Sequence, residues 1–161
     1  MIKHKPLYQA MKDAVSQTLE NMVFMEVTEH YDQSYEIPAE ELTWAYLVIQ
    51  DPVQAEVRLA LPKTLLEDLT TTVFSLEAEE ITQAQMDDIL HELLNTITGL
   101  FMTRLLEDNQ TYKIGLPERG EGELPEVDAD SIAWKLMTSD EAPLQIFVAG
   151  ASLVALSDSA E

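Results

Sequence analysis

Asp88, Glu92, Asn95 and Gly99 occupy one stretch, Thr82 to Leu106, reading TQAQMDDILHELLNTITGLFMTRLL, with the last three at offsets of 4, 7 and 11 from the first. On an α-helix those offsets stack the four residues on one side, and Asp88 and Asn95 stand roughly 10 Å apart at 1.5 Å per residue. The side chains on offer are two carboxylates and one carboxamide. A carboxamide carries a donor and an acceptor on one small group, so it can orient a water molecule without ionising. Two carboxylates alone are the ordinary solvated face of an acidic helix.

Asn95 lifts the stripe above that ordinary reading. Asparagine competes with the helix backbone for hydrogen bonds and is mildly unfavourable inside a helix. The other two asparagines sit where the residue is expected: Asn21 near the end of a first helix, and Asn109 just past the end of this one. Gly99, on the same stripe, removes a side chain where another backbone must come close. His91 makes Asp88-x-x-His91 look like half of a helical metal site. The other half is missing, because His4 and His30 fall near the start and in a loop. No metal site is assigned to the chain.

The helix that carries the stripe announces itself by period. Met86, Ile89, Leu90, Leu93, Leu94, Ile97, Leu100, Phe101 and Leu105 follow the 3, 4 spacing of a buried face. Thr82 and Gln85 predict a capping box at its start. Ahead of it, Lys5-Pro6 opens a helix continuing through Leu7, Met11, Val15, Leu19 and Met22. Val23 to Val27 reads as a first strand, and His30 to Glu41, with Pro38, as a loop. Leu42 to Gln50 and Ala55 to Leu61 predict two strands joined at Asp51-Pro52, the second alternating apolar and polar residues. Leu61-Pro62 begins a further helix with Leu65, Leu66, Leu69, Val73 and Phe74 as its buried stripe.

Beyond the long helix, Thr111 to Leu116 predicts a short strand ending at Gly115 and Pro117. Glu118 to Asp130, with six acids against one arginine, reads as a solvated loop. Ser131 to Thr138 and Leu144 to Ala149 predict a hairpin. Leu153 to Leu156 adds a strand or docks on a neighbour, and Ser157 to Glu161 frays. Trp44 and Trp134, on predicted strands, are core or interface residues, and the methionines fill the core. The order of elements indicates an α+β domain with a largely antiparallel sheet and long helices packed on one face. One domain over residues 1–156 is expected.

Composition narrows the function. Thirty acids against nine bases give a net charge of −21, which is inconsistent with binding nucleic acid or an anionic membrane surface. Cysteine is absent, so thiolate and disulfide chemistry is excluded. The opening MIKHKPLYQAMKD is polar, and no apolar run approaches the roughly 18 residues of a membrane span. A cytoplasmic protein is expected.

Asp88-x3-Glu92-x2-Asn95, then Gly99 and Ile114-Gly115-Leu116-Pro117, resembles the CheC/CheX/FliY phosphatases of bacterial chemotaxis over nearly the whole chain. That family carries Asp or Ser, then x3-Glu-x2-Asn, then a proline about 22 residues on; here 21 residues separate Asn95 from Pro117. The resemblance implies a hydrolase acting on the aspartyl phosphate of a CheY-like receiver domain. It implies that Asn95 orients the attacking water and that Glu92 docks on a lysine of the receiver. Asp88 becomes a rim contact, and Gly99 a point of close approach. It implies no cofactor of the chain's own, with Mg2+ arriving on the receiver, and a homodimer. Two-site members repeat the motif on an earlier helix. Here Ser16-x3-Glu20 is followed by Val23 at the asparagine position, so a single, CheX-like site is expected. The alternatives are a non-catalytic dimeric adaptor of the same fold, binding a receiver or motor component, and an unrelated ligand-binding domain.

Overall fold

Strand alternation determines which way the sheet faces. In Ala55–Pro62, Ala55, Val57, Leu59 and Leu61 are buried toward one side while Glu56 and Arg58 point to the other. A computed structural model describes residues 5–120, 122–125, 131–150 and 153. Among these residues the helices are α1 (Lys5–Val23), α2 (Lys63–Phe74) and α3 (Gln83–Leu105). The strands are β1 (Val27–Glu29), β2 (Leu42–Asp51), β3 (Ala55–Pro62), β4 (Lys113–Ile114), β5 (Glu118–Arg119), β6 (Ser131–Thr138) and β7 (Pro143–Ala149). They form one sheet in the order β1-β6-β7-β3-β2-β4, with β5 also on β2, and every described pairing is antiparallel. The expected α+β fold with helices packed on one face of an antiparallel sheet is the fold observed.

The core lies between that sheet face and the helices. Leu7, Met11, Val15 and Leu19 of α1 meet Ile89, Leu93 and Ile97 of α3 and the inward residues Ala45, Leu47, Ile49, Leu59, Trp134 and Ile146 of the sheet. Burying each large aliphatic side chain contributes roughly 1.5–3 kcal/mol. A glycine or asparagine in a helix costs no more than about 1 kcal/mol. The buried face of α3 therefore outweighs the two poor helix formers on its outer stripe. The opposite face of the sheet holds a smaller cluster of Ile37, Trp44, Ala60 and Phe147.

Several expectations are corrected. The run Val23 to Val27 is not one strand: α1 continues to Val23, which is buried, and Phe24 closes it with a left-handed φ of 59°. β1 therefore starts only at Val27. In α2 the buried stripe stops at Thr70, whose hydroxyl donates to the Leu66 carbonyl at 2.7 Å, leaving Val73 and Phe74 exposed. Pro62 caps that helix from outside its first turn.

The expected strand Thr111 to Leu116 shrinks to two residues, and part of the expected loop beyond it is sheet. Ile114 pairs with Ile49, and Arg119 pairs with Ala45, so β4 and β5 lie along the same edge of β2. Pro117 between them has no N–H to give the ladder, which interrupts the pairing. Residues 126–130 of the expected loop, 154–156 of the expected last strand and the tail 157–161 lie outside the described residues. Leu153 is buried and its amide donates to the Gly150 carbonyl.

β5 is held down by Trp44. The Gly120 amide donates to the Trp44 carbonyl at 2.8 Å, and the Trp44 indole N–H donates to the Gly122 carbonyl at 3.1 Å. A Cβ at Gly120 would fall 2.2 Å from the Trp44 ring. Gly120→Ala is therefore expected to destabilise the fold by about 1–3 kcal/mol, as overpacking does. Urea unfolding followed by tryptophan fluorescence measures it, and an unchanged midpoint would show that the ring has room to move.

Candidate functional site

α3 begins where the sequence places it. Thr82 is the N-cap: its hydroxyl accepts from the Gln85 amide at 3.1 Å, and the Gln85 side chain accepts from the Thr82 amide at 2.9 Å. From there the helix runs unbroken, with Ile89, Leu90, Leu93, Leu94, Ile97, Thr98, Phe101 and Met102 inward. Asp88, Glu92 and Asn95 are exposed and Gly99 is half-buried, so the helix does present the four on its outer side.

The stripe is sparsely engaged. The Thr96 hydroxyl donates to Glu92 Oε1 at 2.9 Å, restraining that carboxylate along the helix. Among the described residues no hydrogen bond holds the side chain of Asp88 or Asn95, so the Asn95 carboxamide keeps its donors and its acceptor for a ligand. The two nearby arginines are occupied. Arg119 Nη1 pairs with Asp87 Oδ1 at 3.0 Å. Arg104 turns to α1, donating to Gln17 at 2.6 Å and lying 3.8 Å from Asp13. The stripe is therefore negative at Asp88 and Glu92 and neutral at Asn95.

One wall of the site comes from a segment that the spacing on α3 does not reveal. Asp87 and Gly99 lie roughly 18 Å apart along the helix, and residues 112–119 span roughly 23 Å when extended. Arg119 reaches Asp87, and the Tyr112 hydroxyl lies 3.3 Å from where a Cβ on Gly99 would stand. The segment therefore runs antiparallel beside the stripe, pinned to β2 by the Gly115 amide donating to the Val48 carbonyl at 2.7 Å. Gly99 signalled a close approach, and among the described residues the group that comes close to it is a side chain, the Tyr112 hydroxyl. Leu116 stands fully outward on the segment, at 88% exposure.

His91 and the first helix are also placed. The His91 Nε2 is buried and has no hydrogen-bond partner among the described residues. At the end of α1, Val23 is only 5% exposed and belongs to the core. The position where a second motif copy would carry its carboxamide is thus an apolar anchor.

The geometry at Gly99 sets two effects against each other. Alanine in place of glycine favours a helix interior by about 1 kcal/mol. The added methyl group, at 3.3 Å from a phenol oxygen, asks a half-exposed side chain to give way by a few tenths of an ångström. Gly99→Ala is expected to change stability by less than about 1 kcal/mol, against about 2–5 kcal/mol lost for the buried Leu93→Ala. Urea unfolding of both variants checks this, and a loss at Gly99 as large as at Leu93 would contradict it.

Comparison with known proteins identifies the family. The family model described as chemotaxis phosphatase CheX matches residues 45–135, more than half of the chain. No curated protein matches it in sequence. Among solved structures, chemotaxis protein CheX from Vibrio vulnificus superposes with a TM-score of 0.70 at 13% identity, covering 89% of this chain and 95% of that one. A chemotaxis protein from Desulfovibrio vulgaris Hildenborough superposes at 0.68 with 14% identity, covering 88% and 94%. CheX from Borrelia burgdorferi, solved in a CheX–CheY–BeF3–Mg2+ complex, superposes at 0.65 with 14% identity, covering 88% and 96%. At such identities the structures establish a shared fold, and the family match supplies the rest: this chain belongs to the CheX family of chemotaxis phosphatases.

Proposed function

We propose that the chain accelerates hydrolysis of the aspartyl phosphate on a CheY-like receiver domain, from a single site on the outer stripe of α3. The observation that carries this reading is the exposed Asn95 carboxamide, uncommitted to any other described group, one turn beyond Glu92 in the family's motif. An acyl phosphate is already labile, so a catalyst needs little beyond a positioned water and control of charge around the phosphoryl oxygens. Asn95 orients the water for in-line attack on phosphorus. The P–O bond to the receiver's carboxyl breaks, the carboxylate departs with the electron pair, and the water's oxygen and protons leave with inorganic phosphate. No base on this chain is required.

Glu92 does a different job. A carboxylate beside a phosphoryl group adds repulsion if used as the water's base. As a docking group it pairs with a lysine of the receiver, and the Thr96 hydroxyl on one of its oxygens limits the rotamers that must be fixed on binding. Asp88 contacts the rim one turn earlier. Magnesium is held by the receiver, where it offsets the phosphoryl charge. The Borrelia complex supports a CheY-type receiver as the partner, because BeF3, present there with CheX and CheY, has the shape and charge of a transferable phosphoryl group. With a net charge of −21 the chain has no long-range attraction for an acidic receiver, which suits a weak, transient encounter.

Asn95→Ala is expected to lower the accelerated dephosphorylation rate by about 100-fold or more while receiver affinity stays within roughly three-fold. Glu92→Gln is expected to raise the half-saturating receiver concentration. Both are read by phosphate release from a phosphorylated receiver with Mg2+ present. A wild-type rate in Asn95→Ala would remove the catalytic reading, and a change in affinity alone would leave an adaptor.

A further inference from the structure

Gly99 and Tyr112 meet at the C-terminal end of the stripe, one helical turn from Asn95. A turn is about 5.4 Å, and the phenol oxygen lies 3.3 Å from where a Cβ on Gly99 would stand, so the hydroxyl and the position-95 carboxamide flank neighbouring turns of the same helix. Tyr112 arrives there from the strand side and is 38% exposed, with its hydroxyl toward α3. Of the hydroxyls along the stripe, Thr96 donates to Glu92 and Thr103 donates to the Gly99 carbonyl, each at 2.9 Å. Among the described residues no hydrogen bond occupies the Tyr112 hydroxyl.

The reaction has a use for such a group. A phosphoryl group brought to the stripe meets carboxylates at Asp88 and Glu92, and the two arginines nearby are turned aside onto Asp87 and Asp13. Once Asn95 holds the water, a neutral donor to a phosphoryl oxygen would add to the charge control that the receiver's metal supplies. A phenol is neutral near pH 7 and carries one O–H. Its position is also settled before a partner arrives. Lys113 and Ile114 pair with β2, Gly115 bonds to Val48, and Arg119 bonds to Asp87, so the segment bearing Tyr112 is anchored along its length.

We infer that Tyr112 is a further catalytic residue of this site, its hydroxyl donating a hydrogen bond to the phosphoryl group under attack, and that Gly99 is glycine in order to admit it. This rests on the proposed receiver phosphatase activity. Glu92 then brackets the reacting group on the N-terminal side of Asn95 and Tyr112 on the C-terminal side. Donors fixed before reaction stabilise the developing charge without reorganising, which is why losing one lowers turnover more than binding.

The test is phosphate release from a CheY-type receiver domain of the same organism, phosphorylated with acetyl phosphate in the presence of Mg2+. Wild type, Tyr112→Phe, Asn95→Ala and Gly99→Ala in the wild-type and Tyr112→Phe backgrounds are compared. Tyr112→Phe is expected to lower kcat on the order of 10- to 100-fold, as for a lost hydrogen bond to a charged group, with KM and thermal midpoint nearly unchanged. Gly99→Ala is expected to lower kcat in the wild-type background and to have little further effect in Tyr112→Phe, where the oxygen it crowds is gone. A wild-type kcat in Tyr112→Phe, alongside an inactive Asn95→Ala, overturns the role of Tyr112 and leaves the phosphatase standing. A rise in KM alone overturns it too, since the hydroxyl would then serve docking. No acceleration by the wild-type protein overturns both readings.

Discussion

The burial of one face of α3 is the constraint on which the rest depends. Leu90, Leu93, Leu94, Ile97, Phe101 and Met102 are completely removed from water between the sheet and α1. A helix anchored by that many side chains can carry residues that weaken it elsewhere, because each buried group contributes more than an asparagine or glycine removes. The surplus is used on the outer side. Asn95 and Gly99 are both poorer helix formers than most residues, and both stand on the outer stripe.

The second constraint is the free edge of β2. A long strand ending a sheet exposes unpaired backbone groups. Here the chain returns from α3 and covers that edge in two short pieces, β4 and β5, with Pro117 between them. Because β2 also lies beneath α3, the covering segment is brought against the flank of the helix. Closing the sheet and completing the wall of the site are thus one act of folding. The glycines mark the tight places: Gly120 gives the Trp44 ring its space, and Gly99 admits the Tyr112 hydroxyl.

The chemistry asked of such a surface is modest. In the proposed reaction the acyl phosphate bond is already labile, the metal would be the receiver's, and a shallow stripe with one free carboxamide would be enough to place a water. A deep pocket is unnecessary when the partner supplies most of the enclosure. The carboxylates have a matching logic: they are poorly suited to act on a phosphoryl group and well suited to meet a cation beside it.

What the sequence by itself determined follows from short-range physics. Period placed α3, its buried face and its outer stripe, because residues three and four apart share a side of any helix. Capping chemistry placed its start at Thr82, since an unpaired amide at a helix end needs a nearby oxygen. Alternation placed β3, strand-like runs bounded by turn residues placed β2, β6 and β7, and the misfit of asparagine in a helix singled out Asn95. The tertiary structure alone decided the partners. The run Val23 to Val27 had the composition of a strand, yet its first residue ended a helix because α1 needed an apolar anchor. Glu118 and Arg119 had the composition of a solvated loop, yet they pair with β2, because pairing depends on which edge is open and not on local residue type. Tyr112 and Arg119 joined the site for the same reason: their distance from α3 in space is fixed by the sheet register, which no local spacing encodes.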